Sequence, residues 1–199
     1  MNLTVEGIRK QNLAITDTKV VEHLLRTARV GFLGLVDGDE PYVVPLNFVW
    51  HRGAVYIHGA VHGRKASLLA SSPKATFTIA DERGTIAHPV PAKTDTAYLS
   101  AMVFGRVSLV EDLREATEAL DAMLTKYVPG YYEKPLQSGH VESYVSGAGS
   151  HVGVYRLQAE RVTAKQNAED MGMMYYPGRT QRADLRETVD NKRTVEQSV

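Results

Sequence analysis

Apolar residues recur along this chain at two different periods, and the switches between them lay out the elements. Val20, Val21, Leu24, Leu25 and Ala28 fall at i, i+1, i+4, i+5 and i+8. That is one face of a helix over Thr18–Arg29, with Asp17 placed to cap its start. The period then shortens. Val30–Val36 reads as a strand, Asp37-Gly38-Asp39-Glu40 as a hairpin turn, and Pro41–Trp50 as the partner strand. Arg52-Gly53 makes the next turn, into Val55–Ala60. Strands joined by such short turns predict an antiparallel meander, not parallel βαβ units. Gly59 and Gly63 then break the pattern. From Arg64 a short helix places Ala66, Leu69 and Ala70 on one face, with Leu68 flanking it. Pro73 ends that helix by pushing Ser72 out of the α region.

The second half repeats the alternation. Lys74–Ala80 is a strand, and Asp81–Lys93, with Gly84, Pro89 and Pro91, is a loop long enough to form a lid or rim. Thr96–Val110 is a long strand. Glu111-Asp112 opens a helix that runs to about Tyr127, with Leu113, Ala116, Leu120, Met123, Leu124 and Tyr127 as its apolar stripe. Glu111, Asp112 and Glu115 suit its positive end. The stripe reads as core or dimer packing in preference to a cofactor contact. Tyr127–Gly149, rich in Gly, Pro, Ser and Tyr, is irregular and either covers a pocket or merely connects. His151–Ala164 returns as a strand. After Gln166 the polar, charged composition predicts a mobile tail or an arm over a partner subunit. The organisation expected is an extension over residues 1–17, extended or partly disordered, one domain over 18–166, and a polar tail over 167–199. The domain is mainly β with flanking helices, an antiparallel barrel of about six strands whose closure removes exposed edges.

Composition narrows the function classes. The chain has 199 residues, 43% hydrophobic and 23% charged, enough for one soluble domain with a sizeable core. Lys and Arg together number 23, as do Asp and Glu, so no global field favours nucleic acid or an anionic membrane. Any cation cluster acts locally. The absence of cysteine excludes disulfides, thiolate metal sites and thiol nucleophiles. No stretch has signal-peptide character or bilayer-spanning length, which makes the cytoplasm the default location.

The sharpest local chemistry is Gly63-Arg64-Lys65. A helix start attracts anions, and a guanidinium fork beside an ammonium suits a phosphate. The plain alternative is a solvated first turn, although cations there oppose the helix dipole unless an anion is bound. Pro45 inside a strand calls for an edge or a distortion, because proline cannot donate to the ladder. His58 and His62 lie four apart, but the surrounding glycines argue against a helix and hence against a metal pair. No metal site is expected. His58 is either a hydrogen-bonded residue at a strand end or a group that supplies or relays a proton near neutral pH. Neither GxGxxG, GxxxxGK[ST] nor a hydrolase triad pattern is present.

Tyr56-Ile57-His58, Gly63-Arg64-Lys65, Leu69 and Ser72-Pro73 resemble the phosphate-binding signature of the pyridoxamine 5′-phosphate oxidase-like, FMN-binding split β-barrels. Pro41-Tyr42-Val43-Val44-Pro45-Leu46-Asn47-Phe48, Ile57-His58-Gly59-Ala60 and Met102-Val103-Phe104-Gly105 resemble its Nim-type, nitroimidazole-resistance-related branch. The similarity runs from roughly Thr18 to Val162. It implies a homodimer with FMN at the two-fold interface. Gly63, Arg64 and Lys65 would take the phosphate. The strand around Pro45, Leu46, Asn47 and Phe48 would face the ring, and His58 would lie near ring or substrate. Ser100 and Met102 would reach the cofactor from the second subunit. The implied reaction is reduction of a small nitroaromatic- or quinone-like acceptor. The oxidase proper carries polar and cationic residues where this chain has Ala101-Met102-Val103-Phe104, so vitamin B6 oxidation is not implied. Two alternatives stay open. One is a protein that stores flavin or haem without turnover, with His58, His62 or His88 as axial ligand; the other is a deazaflavin cofactor.

Overall fold

The structure, a computed structural model, describes residues 1–71, 73–145, 149 and 151–186. The reading of Ser72 and that of the tail beyond 186 lie outside the described residues. The helices are Thr18–Thr27 (α1), Arg64–Leu69 (α2), Leu113–Tyr127 (α3) and Ser138–Glu142 (α4). The strands are Val30–Asp37 (β1), Glu40–Asn47 (β2), Val49–His51 (β3), Ala54–Ala60 (β4), Lys74–Ile86 (β5), Asp95–Leu109 (β6) and Val152–Asn167 (β7). Both long helices start where a local acceptor allows it. Asp17 accepts from the Lys19 amide at 2.8 Å, and Asp112 from the Arg114 and Glu115 amides at 2.7 and 3.2 Å.

The seven strands are ordered β2-β1-β5-β6-β7-β4-β3. The expected second strand is in fact two, which is why the count exceeds the expected six. The break falls at Phe48, and its consequence is topological. β2 and β3 are the two ends of the sheet order yet consecutive in the chain. The sheet therefore curls until its edges are joined through one residue, a barrel split at Phe48. Pro45 lies on the terminal strand β2, opposite Phe32, where its missing N–H costs little.

Leaving the ladder strands the backbone of Phe48, and the end of α3 satisfies it. The Phe48 amide donates to Tyr127 Oη at 2.9 Å, and its carbonyl accepts from Lys126 Nζ at 3.0 Å. The Tyr127 hydroxyl in turn donates to the Arg29 carbonyl. Lys126 Nζ also stands 3.8 Å from the Phe48 ring centroid.

Burial, with the charge of Arg29 adding to it, pulls the Lys126 ammonium down to about 8 from its ordinary 10.5. Below that value the lysine is charged in folded and unfolded chains alike, and folding bears the full desolvation cost. Between 8 and 10.5 the folded chain sheds the proton first, so the unfolded state binds more protons and stability rises with pH. Tyr56, raised to about 12 by burial and by Glu115, works in the opposite sense above 10. The melting temperature is thus expected to climb from pH 8 to about 10 and then fall. Lys126→Met should shrink the climb to the part that the half-buried Lys65 ammonium contributes, and leave the fall. A wild-type melting temperature that is flat or falling over that range would contradict the buried-ammonium geometry.

Met1–Ala80 with Ser100–Lys165 form one compact unit, and Asp81–Leu99 with the described residues from Gln166 form another. In the first, Phe48 and Phe77 meet edge to face at 4.9 Å, and Leu33, Ile79, Val103, Val107 and Val162 are fully buried around the barrel axis. The α3 stripe packs Ala116, Ala119, Leu120 and Met123 against Val49, Ala54, Tyr56 and Val154. In the second unit β5 runs on to Ile86, so the loop expected from Asp81 is strand at its start. Its backbone finds partners in the chain after Gln166: Ala87 donates to the Met173 carbonyl and Tyr175 to the Thr85 carbonyl, both at 2.7 Å. Arg179 and Asp184 form a nearly buried pair at 3.1 Å in the same unit. Residues 170–186, polar in composition, are held there by backbone pairing that no local pattern announces. No helix among the described residues is long and apolar enough to cross a membrane.

Candidate functional site

Two features of the barrel unit meet at the end of β4. The first is a cavity of about 1040 Å³. Asn47 and His58 line it from the barrel, Met123 and Tyr127 from α3, and Tyr131 and Tyr132 from the segment that follows. That segment, read from sequence as cover or connector, is cover. The Leu136 amide fastens it to Asp121 on α3 at 2.7 Å.

His58 is half-buried, and its Nδ1 approaches Met123 Sδ to 2.9 Å. A thioether only accepts, so this contact places the ring proton on Nδ1 and leaves the lone pair on Nε2. Burial, and then the charge of Lys65, hold the imidazole below its ordinary range. At neutral pH His58 is therefore an uncharged acceptor at Nε2.

The second feature is the loop 61–65. Gly63 has φ 90°, a left-handed backbone that favours glycine, and α2 follows it directly. The adjacent cations then diverge. Arg64 turns to the β1–β2 hairpin, where Nε donates to Asp37 at 2.7 Å and a terminal nitrogen to Glu40 at 2.5 Å. Its guanidinium also lies 4.8 Å from the Tyr42 ring centroid. Lys65 turns the other way, into the space over Gly59 that a β-carbon would fill. It is half-buried, and burial lowers its ammonium below the ordinary lysine range. Among the described residues no group accepts a hydrogen bond from it or pairs with it. A partly desolvated ammonium without a counter-charge is costly, and an anion placed there would remove the cost.

The residues singled out from sequence thus fall into four places: the cavity, the loop 61–65, the outward face of β6 and the end of β2. Asn47 and His58 share the cavity. Gly63, Arg64 and Lys65 do not line it, though Lys65 lies close enough to His58 to bias its protonation. Ser100 and Met102 sit on the outward face of β6, where Met102 is exposed. Phe32 and Val43 are exposed on β1 and β2, as is Pro45. Leu46 is half-buried and Phe48 fully buried, its amide engaged by Tyr127. Sequence reasoning missed Asp37 and Glu40 as partners of Arg64. It read them only as turn formers, and no local spacing links them to a residue 24 to 27 positions away. It assigned the α3 stripe to packing alone, whereas Leu120, Met123, Leu124 and Tyr127 also form cavity wall.

A family model described as pyridoxamine 5′-phosphate oxidase matches residues 17–166. Among solved structures, the flavocytochrome Anf3 from Azotobacter vinelandii superposes with a TM-score of 0.68 at 21% identity, covering 86% of this chain and 78% of that one. A putative 5-nitroimidazole antibiotic resistance protein from Bacteroides thetaiotaomicron gives a TM-score of 0.58 at 25% identity, covering 76% and 85%. The FAD and heme binding protein from Mycobacterium smegmatis gives 0.65 at 19% identity, covering 79% and 76%. No curated protein matches the chain.

Proposed function

The chain belongs to the pyridoxamine 5′-phosphate oxidase family, of the flavin-binding split-barrel type, and from that premise we propose that it is a cytoplasmic, homodimeric flavoprotein that reduces a small organic acceptor, nitroaromatic- or quinone-like. The observation that carries the reading is Lys65, a half-buried ammonium with no protein counter-charge among the described residues. It fits the phosphate of FMN, with Gly63 giving close backbone approach; Arg64, paired with Asp37 and Glu40, would add a second cation once released from them. Pro45, Leu46 and Asn47 lead from that loop's neighbour strand to the cavity, so the ring edge would face β2 while His58 offers Nε2 to ring or acceptor. When bound, the flavin supplies the hydride; the residues around it orient the acceptor and exclude water. The exposed apolar face of Phe32, Val43 and Met102 supports a second copy packing there, which would bring Ser100 and Met102 of β6 to the cofactor.

The reading is tested by the visible spectrum of the purified protein and the mass of whatever denaturation releases. Flavin bands with the mass of FMN are expected, together with turnover of a nitroaromatic by a reduced nicotinamide. The mass of a deazaflavin would keep the site and change the cofactor. A second reading has its own observation: a large cavity with an uncharged imidazole and a thioether at one wall suits haem held by His58, for storage without turnover. Two of the structural relatives are a flavocytochrome and a FAD and heme binding protein. A Soret band lost in His58→Ala would establish it. A protein that binds neither flavin nor haem would overturn both.

A further inference from the structure

Arg64 is held on two sides by carboxylates. Asp37 takes Nε at 2.7 Å and Glu40 a terminal nitrogen at 2.5 Å, so one edge of the guanidinium fork is filled before any ligand arrives. The Tyr42 ring supports the group from a third direction. None of the three partners is deeply buried: the side chains of Arg64, Asp37 and Glu40 are 43%, 38% and 65% exposed. A contact so placed is releasable, because exposed ion pairs are weak and screened. Its neighbour Lys65 is the reverse, partly buried and unpaired among the described residues.

Building on the phosphate site proposed above, we infer that Asp37 and Glu40 form an autoinhibitory latch, an internal anion that a phosphate must displace from Arg64. The two carboxylates repel one another and any approaching anion. A monoanion offers the fork no more charge than either carboxylate it would replace. A phosphate dianion, already steered by Lys65, offers both charge and a matched bidentate edge. The latch thus keeps weak anions off Arg64 until a phosphate monoester arrives. It also couples the β1–β2 hairpin to cofactor occupancy, since opening frees the Asp37–Glu40 turn.

The test is a mutant cycle read by titration of FMN and, separately, of inorganic phosphate and acetate. Wild type is compared with Asp37→Asn/Glu40→Gln, with Arg64→Met, and with all three substitutions together; thermal melts confirm that each chain is folded. Removing the carboxylates is expected to tighten FMN and phosphate by roughly three- to tenfold when Arg64 is present, and by less than about twofold when it is absent. Acetate, excluded by wild type, should bind the carboxylate-free variant. Equal tightening with and without Arg64 would reduce the effect to long-range charge and overturn the latch. Weakening would make the pair a staple that positions Arg64, and would overturn it too. Wild type that binds FMN with no coupling removes the latch alone; wild type that binds neither FMN nor phosphate removes the phosphate site and the latch with it.

Discussion

Gly105→Ala is expected to leave the chain unable to close its barrel. A β-carbon at this position on β6 would overlap the backbone carbonyl of Gln158 on β7. Backbone cannot rotate aside as a side chain does, and Gln158 is itself fixed by pairing with Ala54 on β4. Relief requires separating β6 from β7, two strands in the middle of the sheet order. Val103 and Val107 on one side and Leu157 on the other are buried by that approach. The cost is of the kind that exceeds about 4 kcal/mol, against a total stability of roughly 5–15 kcal/mol for a domain. The expected outcome is insoluble or non-cooperatively folded protein, read by far-UV dichroism and urea unfolding. Gly153→Ala on β7 is the control. Its β-carbon would meet the movable tips of Val61 and Leu109 at 3.0 and 3.1 Å. Overpacking of that sort costs about 1–3 kcal/mol, so this variant should fold with a lowered midpoint. A soluble Gly105→Ala protein within about 1 kcal/mol of wild type would show that β6 and β7 do not approach as described.

Gly105 also marks what a sequence can and cannot disclose. Helix starts were legible because their causes are local: Asp17 and Asp112 reach amides two or three residues on. Of the expected meander, the two hairpins β1–β2 and β3–β4 were legible because a short turn sets adjacent strands side by side; the break that parts them was not. Gly105 drew notice only inside a family resemblance, since its physical reason is a strand 53 positions away, Gln158 less Gly105. The Phe48 break escaped for the same cause. Nothing in Asn47-Phe48-Val49 looks like a strand end, and the groups that make the break tolerable, Lys126 and Tyr127, arrive from α3. In the site, His58 and the Gly63-Arg64-Lys65 run stood out by residue type. Their division of labour did not, because adjacency in sequence suggested a matched pair of cations. Side-chain direction set the two apart, and that follows from the hairpin on one side and the gap at Gly59 on the other.

Lys65→Met is expected to weaken FMN binding by about tenfold to a hundredfold, the loss of one charge-assisted contact of roughly 1.5–3 kcal/mol, while leaving the unliganded protein as stable as wild type or more so. The opposite signs follow from one cause. In the unliganded chain the ammonium is half-buried without a counter-charge, so an isosteric apolar side chain relieves desolvation. With the phosphate in place the same ammonium neutralises a dianion, and its removal is felt in full. A residue kept at a cost to folding is kept for its ligand. Gly59→Ala probes the same geometry without removing the charge. A β-carbon there would occupy the space of Lys65 Nζ, whose flexible stem can swing out, so affinity should fall while the fold survives. Affinity should also fall with pH in wild type as the depressed Lys65 ammonium loses its proton, and this dependence should vanish in Lys65→Met. Isothermal titration at several pH values, beside melting curves of the unliganded variants, reads all of these. Lys65→Met protein that binds FMN as wild type does would remove the phosphate from this loop, and one destabilised by the substitution would make Lys65 a structural cation whose partner lies elsewhere.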